Sequence, residues 1–529
     1  VAGKMAENHQ MTFAFIKTHR FFILALSITL SACSVPYIPP PASTIHTNRQ
    51  DLTDMFNAGY RNISEKYIDP VMVRALALDG LDGLSSIDPA LSVKDQDNLV
   101  TLNHSGDLIT SVIAPSPDNV IGWAALTSGM IVKAKSVSSD LNEASDEKVF
   151  EAVYDGILSG LDINSRYAGA IEAKNNRARR DGFGGIGINF KIKNDIVRIT
   201  SVWDGKTAFN AGIKSGDIIH KIDGTPLKGL DQEDVIDLLR GRTQTVTRLL
   251  ISSVDDVTPR EVTLTREHIV LETVTQKRDH GILYLKISSF NQETASSLKN
   301  KLIDAKSEMG STLIGIVIDL RGNPGGLLKQ SVEVAHLLLT HGTIISTRGR
   351  HQDSLNHYEA GGRDLADGLP IVVLIDGKSA SAAEIVAAAL QDRERAVLIG
   401  TSTYGKGTVQ TVIRLPNDGE IYLTWSRFIT PSGYPLHGLG VRPVVCTSKP
   451  GNATIESALS SGAELKSTFE TWRVPTLQPE AIRSRLRQTC PPEKHQAEVE
   501  MELAKEVFKD TVLYGKTLDL SARSSQARK

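Results

Sequence analysis

Ser381 and Lys406 are the two residues of this 529-residue chain whose surroundings could make a nucleophile and its base. Ile371 to Ile375 is a short apolar run suited to a buried strand, Asp376-Gly377 breaks it, and Ala383 to Leu390 is rich in helix formers. Ser381 therefore falls at a strand-to-helix turn. There its hydroxyl is accessible, and unpaired N–H groups of the first helical turn can stabilise an oxyanion. Lys406 follows a second apolar run, Ala396 to Ile399, within Tyr404-Gly405-Lys406-Gly407-Thr408-Val409-Gln410. A parallel strand, helix, strand unit would set the two turns side by side. An exposed ammonium with a pKa of about 10.4 is no base at neutral pH, so the lysine has to be desolvated in an apolar pocket, which its flanking glycines let the backbone close around.

Other readings of the same residues compete. Ser381-Ala-Ala-Glu384 is also a capping box, in which the serine merely caps the helix and the glutamate reaches back to the serine N–H. Gly400 to Lys406 opens like a phosphate-binding loop, but Gly407 stands where a magnesium-holding Ser or Thr belongs, and Thr408 to Leu415 reads as strand. Gly182-Phe-Gly184-Gly185-Ile-Gly187 satisfies the dinucleotide pattern formally, yet a charged run precedes it and an alternating strand, Ile188 to Thr200, follows. His437 would serve a Ser/His hydrolase only with a partnered acid, and none stands at a recognisable spacing.

The chain resembles the carboxyl-terminal processing proteases, serine peptidases with a Ser/Lys dyad and a PDZ domain. The resemblance rests on Gly377-Lys-Ser-Ala-Ser-Ala-Ala-Glu384, Gly400 to Gln410, Asp319-Leu-Arg-Gly-Asn-Pro-Gly-Gly326, and Thr430-Pro-Ser-Gly433 through Gly438-Leu-Gly-Val-Arg-Pro443. It implies a multidomain α/β fold, with a ClpP/crotonase-like protease core, an inserted PDZ domain, and helical N- and C-terminal regions. Carried over, it makes Ser381 the nucleophile, Lys406 the general base, Gln410 its polar partner, and the N–H of Ala382 with that of Gly325 or Gly326 the oxyanion hole. Ser379 is the neighbour most easily mistaken for the nucleophile. Gly185, Ile186, Gly187 and Ile188 would form the PDZ carboxylate loop, followed in PDZ order by Ala208 to Ile213, Gly216 to Ile219 and Ile222 to Pro226. Val235, Leu238 and Leu239 read equally well as groove or as PDZ core. The implied function is an endopeptidase that takes proteins with exposed apolar carboxyl termini, without a cofactor. A catalytically silent PDZ scaffold on the same fold is the alternative. An adaptor lipoprotein that delivers substrates follows from family analogy alone.

A formal net charge of −2 with 23% charged residues leaves no nucleic-acid footprint, and no HExxH or CxxC suggests a metal site. From Met11, basic residues precede an apolar core, Phe21 to Leu30, too short to span a bilayer permanently, and then Leu30-Ser-Ala-Cys33. The layout is that of a secretory signal, and its last four residues resemble a bacterial lipobox, which implies Cys33 acylated, Ser34 directing it to the outer membrane and a periplasmic enzyme anchored by lipid; plain signal cleavage beside an incidental cysteine is the competing reading. Cys446 and Cys490 would then be free to pair in an oxidising compartment, a cross-link contributing about 3 to 4 kcal/mol. The expected parts are a signal over 1–33, a Pro-rich tether over 34–48, a helical region over 49–180, the PDZ over 181–268, the protease core over 269–450 and a helical region over 451–529. The first helical region holds two similar phrases, Ala77 to Leu84 and Val153 to Leu161, read as packing elements. Val444 departs from the family's Pro-Asp pattern, and Thr447 to Pro492 has no family echo.

Overall fold

Six strands carry the site, in the spatial order Val274–Asp279, Ile282–Ile287, Gly315–Asp319, Ile371–Ile375, Val397–Gly400 and Val445–Cys446. The computed structural model describes residues 49–253, 258–448, 454–492 and 497–522; Cys33, the signal and the tether lie outside them. The first two strands run antiparallel and each later pair is parallel. Both faces are covered, which is why the strands read as unbroken apolar runs. Ile371, Val373 and Ile375 enter one core with the helices Thr294–Met309, Leu328–His336 and Ala382–Asp392. Val372 and Leu374 point the other way, onto Phe469, Leu503, Val507 and Phe508 of the C-terminal helices. Met501 and Leu513 pack against the same core, so the apolar residues of this C-terminal segment cover the second face. A side chain on Gly315 would run into the Phe508 ring at 2.6 Å, so helix Ala497–Phe508 lies directly on the strand.

A second sheet runs Asn356–Gly361, His341–Gly349, Glu420–Ile429, Thr408–Arg414, with Arg166–Ala168 also paired to Glu420–Ile429. The PDZ sheet runs Arg260–Thr265, Val246–Ser252, Ile218–Ile222, Ile196–Val202, Ile188–Lys193, flanked by helix Gln232–Leu239. The chain enters and leaves it through a short ladder, Phe183–Gly185 against Glu267–Ile269. The single strand expected over Ile188 to Thr200 is a hairpin, turned at Asn194 and Asp195 with φ of 52° and 59°. Two residues with positive φ match the twist of the flanking strands, and Asn and Asp tolerate that conformation best after glycine.

The N-terminal region is helical, built on Arg49–Lys66, Val73–Asp82, Val120–Lys135 and Asp146–Ser159, but it also holds a three-stranded antiparallel sheet, Leu91–Gln96, Leu99–His104 and Asp107–Ile113, that the sequence reading missed. Its two similar phrases meet each other. A Cβ on Gly83 would lie 2.2 Å from the Ala152 carbonyl, and one on Gly156 would lie 2.4 Å from the Asp79 carbonyl. The glycines let two helices approach backbone to backbone, so the repetition is a packing device.

Candidate active site

Three loops leave the carboxyl ends of neighbouring parallel strands, after Asp319, Ile375 and Gly400, and converge. Asp376 shapes the middle one: its Oδ1 accepts the N–H of Lys378 (2.9 Å), Ser379 (3.0 Å) and Gly322 (3.0 Å). Ser379 is fully buried, donating its hydroxyl to the Leu320 carbonyl at 2.8 Å and accepting the Asp376 N–H at 3.0 Å. Both of its hydrogen-bonding roles are structural. Ser381 is half-buried and has φ 55°, ψ −112°. An ordinary capping serine sits in the extended region. Holding a non-glycine residue at this φ and ψ costs on the order of 1 to 3 kcal/mol, and such outliers cluster where chemistry is done.

Gly325 packs against this turn. A Cβ there would meet the Ala380 carbonyl at 2.9 Å and Ser381 Cβ at 2.9 Å. Asn323, fully buried, ties the loop in place: it donates Nδ2 to the Ile287 carbonyl (2.8 Å), accepts the Ala380 N–H on its carbonyl (2.9 Å), and accepts the Gly325 N–H on Oδ1 (2.8 Å). The Gly325 N–H is therefore already used. Among the described residues no acceptor takes the N–H of Gly326 or Ala382.

The loop bearing Lys406 is stitched to the serine turn through Glu384, whose carboxylate accepts N–H groups from Ser381, Gly405 and Lys406 and the Thr403 hydroxyl. Tyr404 N–H also reaches the Ser379 carbonyl at 3.0 Å. Gly407 is obligatory on space alone, since a Cβ would fall 2.0 Å from the His437 N. Burial, then the Arg166 charge, pull the Lys406 pKa below its ordinary value, while Glu384 and Asp162 pull the other way. No hydrogen bond joins Lys406 Nζ to Ser381 Oγ. Gln410 does not touch the lysine either: Nε2 donates to Thr408 Oγ1 (2.9 Å) and Thr424 Oγ1 (3.3 Å), and Thr424 donates to Asp162 (3.0 Å).

Lys406 lines a cleft of about 420 Å³ together with Tyr404, His437, Arg483 and Arg487. The arginines come from helix Glu480–Arg487 and brace the base loop from behind. Arg487 donates to the carbonyls of Thr403 (2.9 Å) and Leu439 (2.7 Å), Arg483 to that of His437 (2.8 Å). Three residues past this helix, Cys490 is joined to Cys446 in a disulfide with Cα atoms 5.9 Å apart. His437 has a buried Nδ1 without a partner, and burial with the nearby Arg483 lowers its pKa, so nothing equips it as an oriented base.

In the PDZ, Gly185, Ile186, Gly187 and Ile188 line a groove of about 170 Å³ whose helical wall presents Ile236 and Leu239. Val235 is fully buried in the PDZ core and Leu238 packs against that core, so of the three helix residues only Leu239 faces the groove. Asp231 caps the helix, and the turn this sets points residues 232, 236 and 239 inward instead. Sequence reasoning missed Asn323, Thr403 and Arg166, saw Glu384 only as a cap, and placed Ile236 within the groove-facing segment Val235 to Leu239 without singling it out. For Ile236 the one-turn spacing to Leu239 was the available signal; Thr403 and Arg166 gave none.

Residues 281–446 match Peptidase family S41 and residues 177–252 match the PDZ domain family. Over 307 residues the chain is 39% identical to a carboxy-terminal-processing protease of Bartonella bacilliformis, spanning 58% of this chain and 71% of that protein. A probable CtpA-like serine protease of Staphylococcus aureus is 30% identical over 321 residues, 60% of this chain and 64% of that one. Among solved structures, the photosystem II D1 C-terminal processing protease aligns over 74% of this chain and 92% of its own, with 23% identity and a TM-score of 0.38. Among the described residues no helix is long and apolar enough to cross a membrane.

Proposed function

The chain belongs to the carboxy-terminal-processing serine proteases of peptidase family S41, and from that premise we propose that it cleaves envelope proteins with a Ser381/Lys406 dyad after its PDZ groove has taken an exposed apolar carboxyl terminus. Ser381 attacks the scissile carbonyl, Lys406 takes its proton and returns it to the leaving amine, and water resolves the acyl-enzyme. The N–H groups of Ala382 and Gly326 receive the oxyanion, and Gly325 forms the wall beside them. Gln410 acts at one remove, through Thr424 and Asp162, on the electrostatics around the lysine. The observation that carries this reading is Ser381 held at φ 55° beside a partly desolvated lysine. The open dyad fits a resting form that closes on substrate.

The PDZ occupies 181–268 and the protease core 269–450 in this reading. The N-terminus directs export, and lipid on Cys33 holds the enzyme on the periplasmic side of the outer membrane. The Cys446–Cys490 bridge and the bacterial relatives fit an oxidising envelope. The test is to incubate the chain from Ala42 onward with an unstructured protein ending in apolar residues, beside Ser381→Ala and Lys406→Ala. Cleavage by the parent alone supports the dyad; tail binding without cleavage by the parent removes it.

A further inference from the structure

Glu384 is fully buried in a helix whose every residue is buried. Its Oε2 accepts the N–H of Ser381 (2.7 Å) and of Lys406 (2.9 Å). Its Oε1 accepts the N–H of Gly405 at 2.7 Å and the Thr403 hydroxyl, whose oxygen in turn accepts the Val441 N–H at 2.8 Å. An ionised carboxylate offers about four lone-pair sites and here meets that many donors, three of them backbone N–H groups that can accept nothing. Burial raises the Glu384 pKa, and the hydrogen bonds from Thr403, Gly405, Ser381 and Lys406 work against that in favour of the carboxylate. A helix cap requires the Ser381 contact alone. The contacts to residues 403–406 serve no capping purpose.

We propose that Glu384 is a positioning residue of the proteolytic reaction: its carboxylate fixes the span between the nucleophile turn and the base loop, and its charge governs how readily Lys406 releases a proton. This rests on the reading of Ser381 and Lys406 as nucleophile and base. The charged groups around Lys406 are Arg166 from the strand Arg166–Ala168, Asp162 ahead of it, and Glu384 from the serine helix; His437, Glu480, Arg483 and Arg487 line the same cleft. Arg166 and burial favour the neutral amine, Asp162 and Glu384 the ammonium. Deleting the Glu384 charge therefore makes the base easier to deprotonate even as it loosens the geometry. A packing defect alone would slow the enzyme without that displacement.

The experiment measures kcat, KM and the pH profile of kcat/KM for the full chain, Glu384→Gln, Glu384→Asp and Ser381→Ala on an unstructured substrate with an apolar tail. Tail-peptide binding to the PDZ, and circular dichroism across the whole chain, check that each variant is folded. Glu384→Gln keeps the reach and loses the charge; it is expected to lose about 100-fold in kcat, with KM within about twofold and the acidic limb moved to lower pH. Glu384→Asp keeps the charge and shortens the reach, so it should be similarly slow with the limb unmoved. Parental kcat in a folded Glu384→Gln, or slow turnover with its limb unmoved or moved upward, overturns the proposal. Should Glu384→Gln fail to fold, parental kcat in Glu384→Asp overturns it and slow turnover with an unmoved limb supports it. Cleavage that survives Ser381→Ala overturns the dyad reading instead, a result separate from these.

Discussion

In the proposed mechanism Lys406 must shed its charge to act as a base; burial first and Arg166 second favour that, against Glu384 and Asp162. Because the proposed dyad requires the neutral amine, kcat/KM should rise with pH through a limb that lies below the usual lysine range. Arg166→Gln removes the opposing positive charge and should move that limb upward, read from the same pH profile; Arg166 is held by Glu172 and the Tyr422 ring at the surface, so the fold should tolerate the change. The two serines should separate cleanly. Ser379→Ala loses two buried hydrogen bonds and should cost about 2 kcal/mol of stability while keeping substantial activity. Ser381→Gly should abolish cleavage yet melt higher than Ser381→Ala, by about 1 kcal/mol, because glycine adopts this φ and ψ without strain.

The elements around the site owe their legibility to chain-local physics. The strand Ile371–Ile375, the helix after Ser381 and the strand after Lys406 announce themselves by apolar run, breaker and helix former, and the parallel pairing of Ile371–Ile375 with Val397–Gly400 places their turns together. The N-terminal sheet was overlooked because it is short and faces solvent on one side, although Asp97-Asn98 and Ser105-Gly106, all at positive φ, mark its turns. What a single sequence cannot carry is contact between distant elements, such as Glu384 on Thr403 or Arg487 on Leu439. Close approach between elements also sets a prediction. A Cβ on Gly326 would lie 2.1 Å from the Phe290 carbonyl, so Gly326→Ala should shift the loop and lower kcat by about 100-fold, with tail-peptide binding unchanged.

Across the whole molecule, the residues with no family echo turn out to brace the base loop: helix Glu480–Arg487 supports it, Trp472 donates to the Gly440 carbonyl at 3.2 Å, and the Cys446–Cys490 bridge anchors the end of that helix to the last strand of the sheet. A double Cys446→Ser, Cys490→Ser variant should lose about 3 kcal/mol, seen as a lower denaturation midpoint. Its cleavage should fall before its tail binding does, since the PDZ has a core of its own.

The brace follows both loops in the order of synthesis. A nascent polypeptide acquires Ser381 and Lys406 well before Arg483, Arg487 and Cys490, so it holds the proposed dyad before the scaffold behind the Lys406 loop exists. On the proposed reading, cleavage waits on residues 480–490 and on the Cys446–Cys490 bridge, so the reduced chain should cleave more slowly than the oxidised one.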